Sequence, residues 1–124
     1  MDRYIFETMN EQKSRSQLVA KHFNIMPAVV EQAIMQRNQL GSVQVADDIQ
    51  LPHVVLPNLS YQGILLLCES HNFQLIMVID EQYPSQDTIT VLDFFLNGTG
   101  LDKLRSIQNQ QELTNMIKEV LKHA

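Results

Sequence analysis

A chain of 124 residues has room for one domain with one core; 44% hydrophobic and 19% charged residues exclude the compositional regime of disorder. The longest apolar runs, Ile64–Cys68 and Leu75–Ile79, are far shorter than the ~20 residues of a membrane-spanning helix, which excludes membrane insertion by that route. A net charge of −5 with its basic residues scattered argues against direct nucleic-acid binding, and a single cysteine, Cys68, excludes an internal disulfide.

In chain order, Tyr4-Ile5-Phe6 predicts a short first strand. The first thirty residues carry Arg3, Glu7, Glu11, Lys13, Arg15 and Lys21 and no apolar signal-peptide core, so a cytoplasmic location is expected. Leu18, Val19, His22 and Phe23 recur at helical spacing within residues 13–23. Pro27 suits a first helical turn, and Val29, Val30, Ala33 and Ile34 mark one face of a second helix ending near Arg37. From Gly41 to Gly63 the pattern is extended, with Pro52 and Pro57 confining strands to short or edge pieces.

Ile64–Cys68 and Leu75–Ile79 read as two buried strands joined by a Glu69-Ser70-His71-Asn72 turn, and Cys68 reads as a small core hydrophobe. After Pro84, Ile89, Val91, Leu92, Phe95 and Leu96 predict a helix stopped by Asn97-Gly98, and a short helix is expected over 101–107. The last begins at Asn109 and Glu112, in capping-box spacing, and runs through Leu113, Met116, Ile117, Val120 and Leu121. No repeat or low-complexity linker divides residues 1–124, so a single domain is expected: a three-layer α/β/α sandwich around a mixed sheet.

Of the four histidines, His22 reads as a half-buried packing residue, His71 as a solvated turn residue and His123 as part of the C-terminal end, none with a partner pattern. His53 differs because Pro52, immediately before it, fixes the backbone as it leaves a short strand and can hold the imidazole at a sheet rim.

An apolar helix ending in Met35-Gln36-Arg37, a Gly41-Ser42 turn and then Leu51-Pro52-His53 form an order that resembles the EIIA component of the fructose/mannitol class of the bacterial sugar phosphotransferase system (PTS). The likeness extends over nearly the whole chain through the two hydrophobic strands, the helix near Asp87 and the closing Leu101…Leu104…Glu112-Leu113…Leu121 pattern. It implies a mannitol/fructose EIIA-like fold, a phosphoryl group carried on His53, and Arg37 as the clamp on its oxygens. That chemistry is transferase chemistry if active. A neutral imidazole nitrogen is a competent nucleophile and a guanidinium presents a fork of donors to phosphate, with no cofactor or metal implied.

The implied partners are HPr as phosphoryl donor and the EIIB domain of a sugar permease as acceptor. Where the family pattern carries a second, supporting histidine, this sequence has Thr88 in Asp87-Thr88-Ile89, and the approach to His53 carries Asp47 and Asp48 instead of glycines. These departures point to an alternative: an EIIA-like regulatory or interaction domain, attached to or acting on a sugar-responsive transcription regulator, with weak or no phosphotransfer.

Overall fold

The computed structural model describes residues 2–124 of the chain. Elements follow in the order β1 (Asp2–Thr8), α1 (Arg15–Phe23), α2 (Pro27–Asn38), β2 (Gln44–Ala46), β3 (Ile49–Gln50), β4 (His53–Leu56), β5 (Gln62–Glu69), β6 (Asn72–Asp80), α3 (Gln86–Leu96), α4 (Gly100–Arg105) and α5 (Gln110–Lys122).

Local chemistry sets most of the helix starts. Ser14 caps α1 in a reciprocal capping box with Gln17, Pro27 opens α2, and the Ser85 hydroxyl accepts from the Thr88 amide at the start of α3. At α5 the Asn109 side chain accepts from the Glu112 amide at 2.9 Å, as its spacing predicts. The returning arm differs from a closed capping box: Glu112 Oε1 accepts from the Gln108 amide at 2.8 Å, one residue before the cap.

The six strands form one mixed sheet in the order β1-β5-β6-β3-β2, with β4 also on β6. β5 and β6 are an antiparallel hairpin; β1 runs parallel to β5, and β3 and β4 run parallel to β6. Strand β1 is longer than Tyr4–Phe6 because its ladder with β5 stays in register from Asp2↔Gln62 to Thr8↔Cys68, so pairing carries it past its β-rich centre.

Side-chain alternation on the two central strands divides the core. Ile64, Leu66 and Leu75 face Val91, Phe95, Leu113 and Ile117 of α3 and α5, while Leu65, Leu67, Ile76 and Val78 face Leu18, Val19, Phe23, Val30 and Ile34 of α1 and α2. Helices therefore cover both faces, giving the expected three-layer α/β/α sandwich. Cys68 is half-buried against the α3–α5 core, and burial pushes its thiol up to about 11.

The outer edge of β1 is closed by a side chain. Gln110, at the start of α5, accepts from the Phe6 amide and donates to the Tyr4 carbonyl, both at 2.8 Å, so one carboxamide imitates a neighbouring strand.

The β1 backbone leaves no room for a side chain at Gly63, whose φ of +146° suits glycine and whose added Cβ would lie 1.8 Å from the Arg3 carbonyl oxygen. Gly63→Ala is expected to lower unfolding free energy by about 3 kcal/mol, since both the clash and the dihedral must be relieved by separating paired backbones. Urea denaturation measures this, and a loss below about 1 kcal/mol would contradict so close a contact.

Candidate functional site

The outer edge of β6 is occupied in two instalments. β3 pairs Ile49 and Gln50 with Phe73 and Gln74, and β4 pairs His53–Leu56 with Met77–Asp80. Between them lies buried Pro52, which has no N–H to give a ladder and whose carbonyl accepts from Met77 N at 3.0 Å. His53 is thus the residue at which pairing resumes, on a strand hydrogen-bonded only to β6.

His53 registers with Met77, so its side chain lies on the α3–α5 side of the sheet at the rim, half-buried. Its ring differs from those of His22 and His123, whose Nε2 atoms each meet a carboxylate, Glu7 and Glu119 respectively, at 2.8 Å. These two pairings correct the expectation that neither histidine has a partner; in the first, β1 and α1 are brought together only by the fold. His71 lies in the exposed β5–β6 turn. Among the described residues no side chain hydrogen-bonds the His53 ring, and no buried side-chain nitrogen or oxygen lacks a partner. Neither of its ring nitrogens is engaged by a hydrogen bond from a described side chain.

Burial first, and the positive charge of Arg37 second, hold the His53 imidazole below the ordinary histidine range. Its neutral form, which carries the free lone pair, is correspondingly favoured near neutral pH. Arg37 lies in the last turn of α2, the helix packed against β4, and its Nη1 donates to the Gly41 carbonyl at 3.3 Å. One contact to a backbone oxygen leaves most of the guanidinium's five donors free.

Thr88 is placed differently. It is fully buried, and its hydroxyl is shared with Tyr4 Oη at 3.3 Å and Asp2 Oδ2 at 3.5 Å. The same Asp2 carboxylate accepts from the Ser85 hydroxyl. Burial first, and the charge of Asp2 after it, push the Tyr4 phenol up to about 12 against the opposing hydrogen bond with Thr88. This cluster joins β1 to the start of α3, and the structure does not hydrogen-bond Thr88 to His53 or Arg37.

Asp47 is exposed, whereas Asp48 is drawn into a two-point ion pair with Arg105 of α4, Nε–Oδ2 at 2.8 Å and Nη2–Oδ1 at 2.9 Å. That hydrogen bonding holds the Asp48 carboxyl below the usual carboxylate range. The charge on the approach to His53 is thereby partly neutralised by a residue 57 positions away, which no local pattern announces. Among the described residues no group of three or more His, Cys, Asp or Glu side chains is arranged to hold a metal ion, and no helix is long and apolar enough to cross a membrane.

No family model matches the sequence, nor does any curated protein. Among solved structures, the nitrogen regulatory protein IIA-Ntr from Neisseria meningitidis superposes with a TM-score of 0.64 over 91% of this chain and 92% of that one, at 14% sequence identity. The chain therefore has an EIIA-like fold.

If Arg37 acts on His53 through its charge, Arg37→Gln should raise the imidazole pKa toward the ordinary value without reaching it, because burial is the larger cause and remains. NMR titration of the His53 ring protons reads this directly. An unchanged pKa would separate the two residues electrostatically.

Proposed function

We propose that this protein is an EIIA-type phosphocarrier of the PTS that accepts a phosphoryl group from phospho-HPr on His53 and passes it to an EIIB domain. The observation that carries the reading is a half-buried, preferentially neutral imidazole with no side-chain hydrogen-bond partner among the described residues, at the break in the sheet edge and under the charge of Arg37. The EIIA-like fold around it supports the same reading.

In the transfer, a lone pair on a His53 ring nitrogen forms the new N–P bond as the bond to the donor histidine breaks, and the electron pair of that bond returns to the donor ring. No net oxidation occurs, and positioning with charge stabilisation supplies the catalysis. Arg37 contributes donors to the equatorial oxygens as charge spreads over them. Thr88 supports this site only at a distance, as the buried peg that seats the start of α3.

A second reading, the EIIA-like regulatory or interaction domain associated with a sugar-responsive transcription regulator, is favoured by that placement of Thr88. Its hydroxyl is engaged inside the fold and is not free to donate to a phosphoryl group on His53.

Incubation with phosphoenolpyruvate, enzyme I and HPr, followed by intact-mass measurement at alkaline pH, separates the two. The carrier reading expects one phosphoryl group on the native protein, none on His53→Ala, and a rate at least about tenfold lower in Arg37→Gln, the loss of one charge-assisted contact to the transferring group. No gain, with the accessory proteins active on a control carrier, would remove the carrier and leave the regulatory domain.

A further inference from the structure

A hollow on the α3–α5 side of the molecule shares no residue with the His53–Arg37 pair. It is an open groove of about 1000 Å³ between α3, α4 and α5. Its floor is apolar: Phe94 from α3, Ile107 after α4, and Met116 and Val120 from α5. Phe94 and Met116 are only partly covered by the rest of the fold, although they pack against the core cluster.

The rim has the opposite character. Asp93, Glu112 and Glu119 line the groove with exposed carboxylates. Glu112 accepts from the Gln108 backbone amide, and Glu119 meets the ring of His123. One permanent cation lines the groove, Lys103, and its Nζ already sits 5.2 Å from the centre of the Phe94 ring. A lysine on the aromatic floor, between carboxylates, is the arrangement that an incoming basic side chain would extend. Three carboxylates against one fixed cation leave the rim short of positive charge.

We propose that this groove is a docking site for a basic amphipathic helix of a partner protein, its apolar face on Phe94, Met116 and Val120 and its lysines or arginines against Asp93, Glu112 and Glu119. The lined stretch of α5, from Glu112 to His123, is ~16 Å long, enough to seat three turns. Apolar anchors at helical spacing in a groove, with charge at the rim setting orientation, make up a recurring mode of helix recognition.

The test uses the full chain and a fluorescein-labelled Leu/Lys amphipathic peptide of about 14 residues. Its comparison probes are a Leu/Glu peptide with the same apolar face and a scrambled Leu/Lys peptide of equal charge. Anisotropy should show binding of the first alone, weakening as salt is raised, with amide shifts mapped to Phe94, Met116 and Val120. Met116→Gln and the pair Asp93→Asn with Glu119→Gln should each weaken binding about fivefold or more, with melting temperatures confirming the fold. Equal binding of the Leu/Glu peptide would overturn the charge argument. Equal binding of the scrambled peptide, shifts elsewhere, or absence of binding would overturn the site. A concentration-dependent dimer abolished by Met116→Gln would assign the groove to a second copy instead.

Discussion

Pro52 has no N–H to offer β6, and the placement of the candidate site depends on that missing donor. Had the outer edge of β6 been filled by one continuous strand, residues 49–56 would have alternated evenly through a regular ladder. Instead β3 ends after two residues, the Pro52 carbonyl takes the Met77 amide, and pairing restarts at His53. The interruption puts an imidazole at a rim instead of within a sheet interior, and α2, packed against β4, brings the guanidinium of Arg37 to bear on it from the other layer. One backbone constraint thus sets both the exposure of His53 and its neighbourhood.

Polar side chains outside the candidate site fix the frame around that sheet edge. Asp80, at the end of β6, accepts from the amides of Leu59, Gln82 and Tyr83, each at 3.0 Å, and this backbone hydrogen bonding keeps its carboxyl below the usual range. Gln62 Oε1 takes the amides of Asp80 and Ser85, while its Nε2 donates to the Tyr83 carbonyl. The short link between β6 and α3 is therefore held by side chains of β5 and β6, which lets a connection of five residues be both brief and ordered. On the opposite flank, Arg105 anchors the β2–β3 turn to α4 through Asp48.

Much of this architecture was legible from the chain alone, for identifiable reasons. Both helices before Gly41, the two central strands, and the three later helices follow periodicity and capping signals that operate over a few residues, and the structure places them within a few positions of the expectation. The three-layer arrangement follows from apolar residues on both sides of β5 and β6. Hidden from the sequence were pairings that only tertiary contact creates: Asp48 with Arg105, Glu7 with His22, and Thr88 with Asp2 and Tyr4. Thr88 shows the limit most clearly. Its position in a motif suggested a supporting role for His53, and the sequence does not show how deep it lies, because the depth of a helix N-terminus is set by what packs under it, and here that is β1. The chemical standing of His53 and Arg37 rests on the same kind of motif.

Gln110 has an influence wider than the two hydrogen bonds it makes. A parallel edge strand such as β1 exposes a row of amides and carbonyls that another chain can read as a template. With the carboxamide of Gln110 seated on Tyr4 and Phe6, the middle of that template is already occupied. Growth of the sheet by strand addition would require α5 to give up its first-turn anchor. Any association through the middle of β1 is thereby coupled to loosening of the first turn of the C-terminal helix.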